Sequence, residues 1–228
     1  MKIYGKEAAA VRFLLGGIGT GNISLNQNAA LCDFELFNKP AKGNNSPCAF
    51  FAVRTESPDG VIHAKALESQ SAPPFDNSHG SHAWELVGLA RFRHSEMTGR
   101  YPFANFRLWD EKMPIEAGLT AFTPLIPLNT DDSSLPAAVM RYRIKNISDE
   151  SLTVSVAGSF SNLCNIKDRN IWTKPIYCAR SINRYVERGD YRGFNFLPSG
   201  KKESDIDYFE MAFVTTEKDG INYRKQGM

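Results

Sequence analysis

The clearest signal in this chain is alternation. From Ala138 to Lys145, apolar Met140, Tyr142 and Ile144 alternate with Arg141, Arg143 and Lys145. Successive strand side chains point to opposite faces, so the run reads as a strand with one buried and one solvated side. Next comes Asn146-Ile-Ser-Asp-Glu-Ser151, rich in turn formers, and then Leu152, Val154 and Val156 alternate with Thr153, Ser155 and Ala157. Two such runs with a short link between them predict a β-hairpin. Further strands are expected over 49–55, 61–67, 82–92, 103–109, 115–122 and 208–215. Prolines 102, 114, 124, 127 and 136 fall between these runs, where they punctuate strands without breaking a ladder.

Helical periodicity is weak. Glu7 to Leu15 has room for a turn or two, which Gly16 and Gly17 would end. Long loops are expected over 38–47, 69–81 and 165–202. Many strands, many turn signals and almost no amphipathic helix predict an all-β fold. The expected architecture is an antiparallel β-sandwich of two packed sheets with long loops and little helix, forming one domain over residues 1–228. A sandwich of this length is ordinary as a single domain.

Composition changes this picture little. Apolar residues make up 42% of the chain, enough for a sizeable core, and 15 Phe, 8 Tyr and 3 Trp make much of it aromatic. With 27 basic against 25 acidic side chains, the net charge of +2 gives no reason to expect nucleic acid, which calls for a concentrated basic face. No apolar run approaches the roughly 20 residues of a membrane helix, and the N-terminus makes a poor secretory signal because Glu7 and Arg12 interrupt it. Cys32, Cys48, Cys164 and Cys178 match no zinc or redox spacing and no disulfide scaffold. Free thiols in a soluble cytoplasmic protein are the expectation.

Several segments invite a chemical reading. Leu15-Gly-Gly-Ile-Gly-Thr-Gly21 looks superficially like a phosphate loop. Such loops need a helix N-terminus after them, and a strand-like stretch follows here. A tight turn, or a loop letting backbone approach a ligand or a neighbouring domain, fits better and makes Gly17, Gly19, Thr20 and Gly21 candidates. His79 and His82 lack a third metal ligand nearby, so no metal and no cofactor is expected. The acidic pairs Asp33/Glu35, Asp110/Glu111, Asp131/Asp132 and Asp205/Asp207 read as turn or loop residues, not as a glycosidase pair. The segment Arg91 to Pro102 places charged Arg91, Arg93 and Glu96 near Phe92 and Tyr101. That mixture suits a sugar or a polar interdomain contact, and also a plain salt-bridged strand end.

Taken in order, these residues are similar to a known family. The glycine cluster, followed by Asp33-Phe-Glu-Leu-Phe-Asn-Lys-Pro-Ala-Lys-Gly43, resembles the opening of glycoside hydrolase family 116. The resemblance continues through Arg91–Asn105, is strongest over Phe122–Ala138, and ends near Val154–Asn162. It implies the N-terminal sandwich of a β-glucosidase or non-lysosomal glucosylceramidase. The partner it implies is a helical (α/α)6 domain that carries the Glu nucleophile and Asp acid/base and binds the β-glucoside. No residue of this chain inherits a catalytic role from that likeness. An independent carbohydrate-binding or scaffolding module is the alternative. A sandwich that docks against a second domain should carry an exposed apolar patch.

Overall fold

The computed structural model describes residues 2–37, 40–43, 49–72, 89–164 and 181–223. The chain forms two compact units, Met1–Ser159 and Phe160–Met228. Among the described residues there are fourteen strands and one four-residue helix, the all-β composition that alternation predicts.

Three sheets build the first unit. Strands β1 (Arg12–Leu15), β2 (Asn22–Asn26) and β3 (Leu31–Glu35) form an antiparallel sheet in sequence order. The other two sheets draw on β4 (Phe50–Glu56), β5 (Ile62–Ser69), β6 (Arg91–Phe92), β7 (His94–Arg100), β8 (Phe103–Trp109), β9 (Ile115–Phe122), β10 (Val139–Asn146) and β11 (Thr153–Ser159). Their orders are β11-β4-β5-β6 and β10-β9-β8-β7. Among the described strands only the short β6 runs parallel to its neighbour.

The alternation in sequence becomes two faces in space. Strand β8 buries Ala104, Phe106 and Leu108 and exposes Phe103, Asn105 and Arg107. Strand β9 buries Ile115, Ala117, Leu119 and Ala121. Opposite them, the Phe51 ring of β4 meets Tyr142 of β10 with centroids 5.0 Å apart, so the two four-stranded sheets close as a sandwich. The layers are also tied by charge. Lys65 of β5 pairs with Asp110, the residue after β8, whose side chain is fully buried. The Lys65 Nζ also donates to the Arg91 carbonyl at 3.1 Å, and Asp110 accepts from the backbone N–H groups of Lys112 and Arg93 at 2.9 and 3.2 Å. A polar knot joins all three sheets. Ser69 Oγ of β5 donates to Asn28 Oδ1 in the β2–β3 turn at 3.1 Å and lies 2.7 Å from Ser95 Oγ of β7.

The predicted hairpin between 138 and 157 does not form. Strand β10 pairs with β9, whereas β11 pairs with β4, so the link between them crosses from one sheet to the other. Asn146 folds that link on itself. Its Oδ1 accepts from the Ser148 N–H at 2.9 Å, and Ile147 N–H donates to the Pro114 carbonyl at 2.9 Å. Turn-forming residues mark a reversal in either case; the pairing partner is settled by tertiary packing.

In the second unit, β12 (Ser181–Arg188), β13 (Tyr191–Pro198) and β14 (Met211–Thr215) form an antiparallel sheet in order. Cys164, Phe196 and Phe209 make its core, with Phe160, Phe194, Met211 and Phe213 packed against it. Part of the loop expected over 165–202 is therefore a hairpin. Arg188 pairs with Tyr191, leaving Gly189 and Asp190 as a two-residue loop. That dipeptide is a hairpin signal in its own right, but the flanking Arg and Asn residues hide the alternation. Residues 165–180, most of the 69–81 loop and the 82–88 portion of an expected strand lie outside the described residues.

Candidate functional site

The glycine cluster is the turn from β1 to β2, and its backbone is fixed from two sides. Gly21 has φ +84°, and a Cβ there would sit 2.6 Å from the Glu35 carbonyl oxygen. Gly17 lies against a different segment, where a Cβ would fall 2.4 Å from the Ser134 oxygen and 2.5 Å from that of Leu135. The next residue, Ile18, donates its N–H to the Ser133 carbonyl at 2.9 Å. Thr20 Oγ1 closes the turn on the Gly17 carbonyl at 3.0 Å. Gly19 is at φ +74° with open space around it. Strand β2 follows, so no helix N-terminus is aimed at this loop.

The segment it touches is the β9–β10 connection. Here Asp131–Ser134, expected as a turn, overlaps the one-turn helix α1 (Thr130–Ser133), capped by Asn129, whose side chain accepts from the Asp132 N–H at 3.1 Å. Ser133 is buried, and its Oγ both donates to the Ile126 carbonyl at 3.0 Å and accepts from the Ile126 N–H at 2.9 Å. The β7–β8 turn comes to the same end of the sheet. Phe103 pairs with Phe122 at 5.3 Å between centroids, and Phe122 in turn pairs with Val139. Tyr101 rests on Phe13 of β1 at 6.0 Å. Three segments far apart in sequence therefore converge: 16–21, 101–103 and 122–139.

The acidic pairs have structural roles, and only Asp131/Asp132 lies within the converged segments. Asp33 is buried and pairs with Arg12 at 3.4 Å and Lys42 at 3.7 Å; Glu35 pairs with Lys42 at 2.7 Å. Burial pushes the Glu35 carboxyl up, but the Lys42 ammonium and the Ala41 N–H outweigh it and hold it below the usual range. Asp110 serves Lys65, and Glu111 lies 2.8 Å from His94 Nε2. Asp131 and Asp132 sit in the first turn of α1. Asp205 accepts from the Lys202 N–H at 2.8 Å, and Asp207 pairs with Lys201 at 2.7 Å.

The family described as beta-glucosidase 2, glycosyl-hydrolase family 116 N-terminal, matches residues 13–227. The chain belongs to this family. It is a non-catalytic N-terminal part of a glycoside hydrolase, and the segments that converge at one end of the sheet all lie within the match.

In this family 116 domain the remaining sequence candidates go to separate places. Arg91 faces inward to Glu68, Nε to Oε2 at 3.0 Å, as an internal ion pair. Arg93 lies 4.0 Å from Glu111, and Glu96 lies 3.9 Å from Arg107, both at the far end of β7 from Tyr101. There Trp109 is flanked by the His94 ring at 5.1 Å and the Arg107 guanidinium at 4.8 Å. Glu96, His94 and Trp109 also line a shallow open groove of about 300 Å³ with Ile3, Lys6 and Glu7. Sequence reading missed Leu128 and Ser133, which shape the β9–β10 connection, because a polar serine between acids carries no burial signal. It also missed the Lys65–Asp110 pair, whose members lie 45 positions apart.

Close approach at Gly17 gives a test. Gly17→Ala should destabilise the first unit by about 1–3 kcal/mol, because overpacking against backbone has no flexible side chain to yield. Gly19→Ala meets no atom and should cost only the strain of a left-handed backbone, about 1 kcal/mol. Urea denaturation of the two variants measures the difference.

Proposed function

We propose that this domain is the N-terminal sandwich of a retaining β-glucosidase, of the kind that hydrolyses β-linked glucosides and glucosylceramide. It buttresses and rims the cleft of a helical (α/α)6 domain, in the same polypeptide or in a separate subunit. The supporting observation is the family match over 13–227, in a domain whose acidic pairs are taken up by ion pairs, backbone N–H groups and a helix turn. A retaining glycosidase needs two carboxyl groups about 5–5.5 Å apart, one free to attack and one free to carry a proton. Under this reading the partner domain supplies both. The roles of Gly17, Gly19, Thr20, Gly21 and Tyr101 lie at the interdomain rim, and Arg93 and Glu96 are polar rim groups at the other end of β7. Arg91 holds the fold beneath them. A reducing, cytoplasmic setting suits the buried free thiol of Cys32. Burial pushes the Cys32 thiol up to about 12, so it is an inert core group.

The purified chain should release no nitrophenol from p-nitrophenyl β-D-glucoside above a buffer control. Turnover that copurifies with the chain and survives removal of contaminating hydrolases would defeat the proposal. An independent carbohydrate-binding module is favoured by one observation, the exposed Tyr101 and Phe103 rings at the converged end. Calorimetry with glucose and cellobiose separates the two readings, since only a binding module gives heat.

A further inference from the structure

The converged end of the β7–β10 sheet carries seven of the exposed large apolar side chains found among the described residues. Ile18, Tyr101, Phe103, Ile126, Leu128, Leu135 and Val139 are all solvent-exposed, and they come from the three segments that meet there. Single exposed apolar residues need no explanation, but several on segments that meet at one end of a sheet are what a surface covered by another molecule requires.

Leu128 is the extreme case. It is fully exposed, at 106%, and its backbone is left-handed, with φ +65°. A leucine in that conformation is rare, because its Cβ crowds the carbonyl that follows. The loop nevertheless holds it there. Asn129 N–H donates to the Ile126 carbonyl at 3.0 Å, and the buried Ser133 hydroxyl fixes both backbone groups of Ile126. A hydrogen-bonded frame thus maintains backbone strain in order to hold an apolar side chain out in solvent, which points to a partner outside the molecule. Beside it, Asp131 and Asp132 stand in the first turn of α1, with no basic residue in its last turn.

We propose that this end is the face that docks onto the catalytic domain, with Leu128 as its anchor. The complementary surface is an apolar socket for Leu128, rimmed by lysine or arginine opposite Asp131 and Asp132. The inference rests on the reading of this chain as the non-catalytic partner of a family 116 catalytic domain. A central apolar anchor in a desolvated pocket, with charges at the rim, is the usual energetic layout of a protein interface.

The test is calorimetric titration of a separately produced family 116 catalytic domain with the chain, for wild type, Leu128→Asp and Val61→Asp. Val61 is exposed in the β4–β5 turn, outside the converged segments, and serves as the control. Leu128→Asp is expected to weaken association by about tenfold or more, a loss typical of a truncated anchor. Val61→Asp should leave it unchanged. Thermal melting of the isolated chain provides the folding check, and Leu128→Gly should melt no lower than wild type because glycine relieves the left-handed strain. Equal binding by wild type and Leu128→Asp would overturn this surface while leaving the partner reading intact. No binding by wild type would overturn the docking proposal, while the non-catalytic reading is tested separately by the chain's inertness on p-nitrophenyl β-D-glucoside.

Discussion

Replacing Lys65 by Met is expected to lower the stability of the first unit by about 3–5 kcal/mol at pH 7. The methionine keeps most of the aliphatic stem, so the loss isolates the ammonium. Asp110 would then be a fully buried carboxylate facing only the N–H groups of Lys112 and Arg93. Removing one partner of a buried pair costs far more than the pair contributes, because the remaining charge stays desolvated. Burial pushes the Asp110 carboxyl up, yet the Lys65 ammonium and those N–H groups outweigh it and hold it below the ordinary range. A lowered folded pKa gives stability that is present above the unfolded value near 3.9 and lost as pH falls through the folded one. The gap between wild type and Lys65→Met should therefore narrow below about pH 4. The double variant Lys65→Met with Asp110→Asn should recover much of the loss, since the amide oxygen still accepts from both N–H groups. Guanidinium denaturation at pH 7 and pH 3.5 checks both statements; equal stability of Lys65→Met and wild type at pH 7 would remove the pair from any account of how the layers are tied.

Where burial follows a two-residue period, the sequence was readable. The ranges expected for β8 and β9 coincide with those observed, because each has a clean inner face: Ala104, Phe106, Leu108 and Ile115, Ala117, Leu119, Ala121. Pairing was less readable. Strands β10 and β11 look like a hairpin because alternation reports which face is buried and says nothing about which neighbour completes the ladder. Strand β11 is an edge strand whose Val154 and Val156 remain exposed despite lying opposite buried Thr55 and Val53. A hairpin in isolation would have buried neither. The β12–β13 hairpin was hidden for the opposite reason. Apart from Phe196 and Pro198, its residues are only partly buried or exposed, so polar and apolar positions mix.

The candidate site was half legible for similar reasons. Glycine spacing marks a backbone that must turn tightly, and Gly17 and Gly21 do approach other backbone closely. What a glycine touches is invisible in sequence, since the Ser134 and Leu135 carbonyls lie more than a hundred residues away along the chain. Arg91 and Arg93 look equivalent on paper, yet the chain sends one inward to Glu68 and the other out to Glu111. Period two predicts a shared side for residues two apart; the irregular residue between β6 and β7 breaks it.

That inward arginine carries the second large effect. Arg91→Met is expected to destabilise the first unit by about 3–5 kcal/mol at pH 7.5, since Glu68 lies in the buried half of β5 and its carboxylate loses its ion-pair partner. Burial already pushes the Glu68 carboxyl up more than Arg91 pulls it down. Without Arg91 it should rise further. An acid whose folded pKa exceeds its unfolded value of about 4.3 binds protons preferentially when folded, so stability falls as pH rises between those values. The deficit of Arg91→Met should therefore be small near pH 4.5 and grow towards neutrality. That window lies above the one set by Asp110, which lets a single pH series distinguish the two buried carboxyls. Adding Glu68→Gln to Arg91→Met should flatten the profile, because the amide has no proton to exchange. A deficit that stays constant from pH 4.5 to 7.5 would mean that Arg91 acts by packing and by its contact with the Leu89 carbonyl at 3.2 Å, with the Glu68 charge playing no part.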